Sequence, residues 1–253
     1  MSQPPSEQAG PAAAPAQSDF LNDWALGVEA AEETVKPGGW RKIALPAAIA
    51  GIIFVVLYVI SYYLLAKTPL GNATDAEIIA YYGDGKNLTL TLAGMLIMPF
   101  VGIFFLYFML LLRATARATG FRASRVLGNT QVATGTIFVA LLFVATAGLV
   151  ATPAAMRFAS MQTDPVAARM LPIFSMTVLL GFGMRMASMF VFTSSSIGRA
   201  TGLIPKWFVY VGYVVGLVLL LAFSIAAWFA LLFAIWVLVL CIIVLWRRSQ
   251  ATA

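Results

Sequence analysis

WFVYVGYVVGLVLLLAFSIAAWFALLFAIWVLVLCIIVLW, residues 207 to 246, is a run of forty residues without one charged side chain. As a single helix it would be about 60 Å long at 1.5 Å per residue, twice the roughly 30 Å hydrocarbon core of a bilayer. It is therefore read as two crossings closed by a tight hairpin near Ser224 to Ala227. Four further apolar segments lie upstream, at 43–66, 88–112, 126–151 and 171–197; with 206–225 and 227–246 they make six. The composition agrees: 61% hydrophobic, 10% charged and a mean hydropathy of +0.92. Soluble domains average about 45–50% apolar and 25% charged. The runs are continuously apolar rather than alternating, which excludes an outer-membrane β-barrel. The expected fold class is all-α, a polytopic six-helix transmembrane bundle over 43–248, with tails at 1–42 and 249–253.

Lys36, Arg41, Lys42, Arg113, Arg117, Arg122, Arg125, Arg199, Lys206, Arg247 and Arg248 fall on one side of these segments, and only Lys67, Lys86, Arg157 and Arg169 on the other. By the positive-inside rule both termini are cytoplasmic. The net charge of +6 then reflects topology, and no nucleic-acid partner is expected. Pro4, Pro5, Pro11 and Pro15 punctuate an N-terminal stretch with neither a basic n-region nor an apolar h-region, so it reads as a disordered cytoplasmic tail and not a secretory signal.

Within that tail, SDFLNDWALGVEAAEETVK at 18–36 places Leu21, Trp24, Ala25 and Val28 on one helical face after Ser18 as N-cap. Its polar face carries Asp19, Asp23, Glu29, Glu32 and Glu33, which an anionic inner leaflet repels. As a helix it would dock on a basic protein surface: the chain's own RATARATGFRASR at 113–125, or a partner subunit. Leu21, Trp24, Val28, Glu29, Glu32 and Glu33 are the candidate docking residues; without such a surface the segment is simply disordered.

On the other side, AKTPLGNATDAEIIAYYGDGKN at 66–87 has capping-box spacing at Thr74 and Glu77 and a terminating Gly83. The spacing predicts a short helix over Asp75 to Tyr82, bedded in the interface by Ile78, Ile79, Tyr81 and Tyr82. ATPAAMRFASMQTDPVAARMLP at 151–172 offers two Pro-started helices, at Thr152–Pro153 and Asp164–Pro165. Thr68–Pro69 recurs as Thr152–Pro153, Thr74–Asp75 as Thr163–Asp164, and RATG at 117 recurs at 199, at offsets of 84, 89 and 82 residues. These matches raise the expectation of a parallel hairpin repeat, in which the first two segments recur as the third and fourth.

The side chains limit the chemistry. There is no histidine, and the one cysteine is Cys241 in the last apolar run. His-ligated haem, di-iron and zinc sites and Ser-His or Cys-His catalysis are thereby removed. No Asp or Glu lies inside an apolar segment, so a carboxylate relay within the bilayer is not expected. Met156, Met161, Met170, Met176, Met184, Met186 and Met189 could in principle hold Cu(I), but packing is the ordinary role of methionine in an apolar helix. No cofactor, no metal and no enzymatic activity are expected.

Arg185, in GFGMRMASM at 181–189, is the exception: a permanent cation within an apolar segment. Helical steps from it pass Thr177, Gly181, Ser188 and Ser196, a small and polar stripe interrupted by Phe192 and expected to face the bundle. Gln131 and Thr134 of the third segment, and the Met95 carbonyl released by Pro99, are candidate partners. Arg185, Thr177, Ser188, Gln131 and Thr134 thus form the candidate site. Three readings stay open: a structurally satisfied arginine, a site for an anion or lipid headgroup, and a pairing with a partner's carboxylate.

The stretch SSSIGRATGLIPKWFVYVGYVVG at 194–216, with TDAEIIAYY at 74–82 and the basic second cytoplasmic loop, resembles a bacterial six-helix membrane family known only as a domain of unknown function. The resemblance covers about residues 45–245 and implies a six-helix bundle in a bacterial plasma membrane. It carries no activity and no catalytic residue. The first expectation for function is a non-enzymatic accessory or scaffold subunit in contact with another membrane protein or with further copies of itself. The second is a carrier or binder of a lipid or small anion built on Arg185.

Overall fold

Apolar residues on every face leave these segments no amphipathic stripe, and they wind into long helices whose backbone groups are satisfied internally. The computed structural model describes residues 39–69, 73–119, 125–162, 164–221 and 228–250. The 18–36 segment, the turn at 224–227 and loop residues 120–124 lie outside these. The helices are α1 Trp40–Leu65, α2 Asp75–Gly83, α3 Gly85–Ala118, α4 Arg125–Ala159, α5 Pro165–Thr201, α6 Lys206–Leu221 and α7 Phe229–Gln250. Among the described residues there is no strand. Five of the helices, α1, α3, α4, α5 and α7, are long and apolar enough to cross a membrane, while α6 is apolar but 16 residues long. It is shorter than the expected 206–225, and residues 222–227 beyond it are not described.

Local chemistry sets the boundaries. At α2 the capping box forms in full: Thr74 N–H donates to Glu77 Oε2 at 2.7 Å, and Glu77 N–H donates to Thr74 Oγ1 at 3.3 Å. Asp84 caps α3 by accepting from Lys86 N–H at 2.9 Å, and Asp164 caps α5 by accepting from Val166 N–H at 3.0 Å. Gly202, at φ +67°, ends α5 in a conformation that a side chain would strain.

The expected helix start at Thr152–Pro153 is corrected. α4 runs straight through that dipeptide to Ala159. Pro153 removes one bond to the preceding turn, but both residues are buried against the bundle, which tolerates an interior proline. Thr68–Pro69, by contrast, follows the end of α1, so this matched pair does not occupy equivalent places.

α1 packs along α3 and also against α7; α4 lies against α3 and α5, and α6 packs chiefly on α5. At the centre, the five long helices bring together Phe54, Phe105, Phe138, Phe190 and Phe233, all fully buried, with Phe108 of α3 beside them. Neighbouring centroids among the five are 4.9 Å (Phe138–Phe233) to 6.3 Å (Phe54–Phe233) apart, the range in which tilted and edge-on rings attract. Small residues bring the backbones close around this cluster. A Cβ on Gly51 of α1 would overlap Cys241 Sγ of α7 and the Phe108 ring of α3.

Charges gather at the two ends. At one, Trp40, Thr119, Thr201 and Arg247 line a common groove, Arg247 donates to the Gly202 carbonyl, and Arg113 Nη2 donates to Asn129 Oδ1 at 2.9 Å. The start of α1 and the ends of α3, α5 and α7 therefore meet there. At the other, Arg169 of α5 pairs with Asp75 of α2, and Ile78, Tyr82 and Ala168 form a small apolar cluster.

Candidate functional site

Arg185 lies near the middle of α5, just past a turn that is not α-helical. Thr177–Gly183 is a π segment, in which N–H groups reach five residues back, as Met184 N–H does to Leu179 O. Such turns recur at functional sites. The half-buried Arg185 folds its guanidinium back over this widened turn, where Nη1 donates to the Leu180 carbonyl at 3.0 Å and also to the Gly181 carbonyl. Backbone oxygens of its own helix thus help to meet the charge.

The expected polar stripe does not hold as one face. Thr177 is exposed and donates to Ile173 O at 2.9 Å. Ser188 is fully buried and donates to Gly216 O of α6 at 2.7 Å, and Ser196 bonds the Tyr213 hydroxyl at 3.2 Å. The physical reason is the π turn: one extra residue rotates the helix before it by about 100° relative to the helix after it. Residues 177–181 and 185–196 consequently look in different directions.

Gln131 and Thr134 are buried on α4 but engaged elsewhere. Gln131 Nε2 donates to Ser194 Oγ at 2.8 Å, nine residues beyond Arg185 and about 13 Å along the axis. Thr134 Oγ1 donates to Thr130 O at 2.8 Å. Met161, Met170 and Met189 are exposed whereas Met184 is in the core. Among the described residues no three of His, Cys, Asp and Glu gather.

A cavity of about 100 Å³ opens instead one turn away from Arg185, between four helices. Tyr58 and Tyr62 of α1, Met98 of α3, Thr146 of α4, and Ser175 and Leu179 of α5 are among its walls. Thr146 donates to Leu142 O and Ser175 to Leu171 O, each at 2.8 Å. The Tyr58 hydroxyl is buried with no hydrogen-bond partner.

No known family model, curated protein or solved structure matches this chain. Its own residues are the remaining guide to its chemistry. Near the Asp75–Arg169 end, the backbone and hydroxyl of Thr74 hold the Glu77 carboxyl below its usual range, and burial, with Tyr81 adjacent, pushes Tyr82 up to about 12.

No motif in the sequence singles out Tyr58. The only signal is position: Tyr62 and Tyr63 suit an interface, but Tyr58 sits seven residues, about 10 Å, inside the end of α1. Ser175 carries no signal, since a lone serine in an apolar helix is ordinary.

Proposed function

We propose that the protein is a non-enzymatic multi-pass membrane protein with six crossings, an accessory or scaffold subunit that works by contact with another membrane protein. The sixth crossing is α6, Lys206–Leu221. The observation that carries the reading is the use of the polar groups at bilayer depth. Arg185, Thr177, Ser188, Gln131 Nε2 and Thr134 each bond a backbone carbonyl or a side chain within the bundle, and among the described residues these five form no converging set of nucleophile, base and orienting group. An arginine held by its own helix also weighs against an anion carrier centred on it.

Both termini are placed in the cytoplasm. The end where Trp40 meets Arg247 carries Arg41, Lys42, Arg113, Arg117, Arg125, Arg199, Lys206 and Arg248, and the opposite end carries the acids Asp75, Glu77, Asp84 and Asp164. A bacterial plasma membrane is inferred from the motif resemblance at 74–82 and 194–216, and the parallel repeat stands on the RATG and Thr–Asp matches. Cysteines introduced at Lys42 and Arg248 should be shielded from an impermeant maleimide in intact cells, and cysteines at Lys67 and Arg157 should react.

The contact role is tested by affinity purification from native membranes in mild detergent. A protein recovered in fixed ratio, and lost when residues 18–36 are deleted, is the expected result. Recovery of the chain alone, carrying an anionic lipid that Arg185→Leu removes, would overturn it.

A further inference from the structure

We infer that the cavity between α1, α3, α4 and α5 is a binding site for a lipophile: an aliphatic chain bearing an uncharged carbonyl that accepts a hydrogen bond from Tyr58. The site is independent of the contact role and does not use Arg185.

The walls set the class of ligand. Leu65, Met98, Leu142, Leu149, Leu179 and Leu180 make the space apolar, and no charged side chain lines it. A dry cavity of about 150 Å³ takes benzene. At about 100 Å³ this one suits a chain segment rather than a ring system. Its half-buried walls are Tyr62 on α1 and Met176 and Leu179 on α5, so the mouth lies between these two helices. α1 packs on α3 and α7 rather than on the π segment of α5, which leaves that flank open to a chain arriving from the surrounding apolar phase.

The polar groups then select the head. Of the hydroxyls on these walls, Thr146 and Ser175 already donate to their own helices. Tyr58 is 2% exposed and its hydroxyl has no partner. A buried donor left unmade is costly in a protein interior, and an incoming carbonyl relieves that cost at Tyr58, the fully buried one of the two tyrosines on these walls, the other being the half-buried Tyr62. The widened turn fits the same reading. Leu179 and Leu180, which wall the cavity, belong to the π segment, where the backbone departs from the α-helical path.

The test uses the full chain in nanodiscs of ether-linked lipids, which bring no carbonyl of their own. Two photoreactive probes of equal length are compared, a diazirine-bearing fatty acid methyl ester and the corresponding diazirine alkane, and labelled residues are mapped by mass spectrometry. The ester should label the Met98 and Met176 regions about fivefold more than the alkane, the factor one ordinary hydrogen bond supplies. That preference should vanish in Tyr58→Phe, which removes only an unpartnered hydroxyl and leaves the fold intact. Ala145→Phe, which fills the cavity, should abolish labelling there by both probes. Equal labelling by the two probes in the natural sequence, or an ester preference that survives Tyr58→Phe, overturns the carbonyl assignment. Cavity labelling that survives Ala145→Phe overturns the site. Repeating the experiment in ester-linked discs separates the sources: the ester signal falls where the bilayer's own lipids occupy the site and stands where a free lipophile does.

Discussion

Phe105→Ala should destabilise the bundle by about 2–4 kcal/mol. The ring is fully buried, with centroids 5.0 Å from Phe54, 5.1 Å from Phe190, 5.4 Å from Phe138 and 5.8 Å from Phe233, each on a different helix. In a soluble core Phe→Ala loses about 3–5 kcal/mol, part of it the transfer of the ring out of water. Separated helices in a bilayer keep their side chains in hydrocarbon, so the transfer part largely drops out and packing remains. The four ring pairs that cross between helices, at about 0.5–1.5 kcal/mol each, give about 2–6 kcal/mol, and because they share one ring they do not add in full. The assay is reversible unfolding in mixed micelles, read by the reaction of a maleimide with Cys241, the single thiol of the chain and 0% exposed in the folded state. Phe100→Ala is the control: the same residue type on the same helix, 56% exposed, expected to change stability by less than about 0.5 kcal/mol. If Phe105→Ala loses no more than Phe100→Ala, the phenylalanine cluster is not what holds the helices together.

Arg185→Leu should leave stability within about 1 kcal/mol of the natural chain in the same assay. The arginine's bonds to Leu180 and Gly181 lie within its own helix and persist when the helices separate, and the cost of placing the charge in hydrocarbon is common to both states, so the substitution changes little between them. Gly51→Val should destabilise by about 1–3 kcal/mol through overlap with Cys241 and Phe108, with the largest effect on thiol protection, because the displaced atom is the reporter itself. The Glu77 carboxyl, lowered by its bonds to Thr74, stabilises α2 above the usual carboxylate value of 4.5, and that contribution is lost as the pH falls through the lowered value. Hydrogen-exchange protection factors over residues 75–83, taken against the intrinsic rate at each pH, should therefore fall in acid in the natural chain and stay flat across the same range in Glu77→Gln.

Where one energy term dominates, the sequence was sufficient. Uninterrupted apolar runs located the long helices, although α4 begins at Arg125 and ends at Ala159, two turns past the expected 151, because a helix may continue into the headgroup region while its backbone stays satisfied. The capping box at Thr74 and Glu77 was legible because it is a local pattern, three residues apart, that needs no tertiary partner. The candidate site was less legible. Projecting Thr177, Gly181, Arg185 and Ser188 onto one face assumed an unbroken 3.6-residue period, and the π turn at 177–183 breaks it. Tyr58, Thr146 and Ser175 converge only because α1, α4 and α5 are brought together by contacts distant in sequence, and no spacing along the chain records that meeting.

The phenylalanine at position 233 has a further meaning for how the protein is made. Its ring touches those of Phe54, Phe105, Phe138 and Phe190, yet it resides on α7, which follows the helices of all four along the chain. Until α7 is in place, each of the four earlier rings lacks the one partner that all of them share. Truncation before residue 229 would thus remove the ring that meets all four others, and the cluster closes only once α7 has been made.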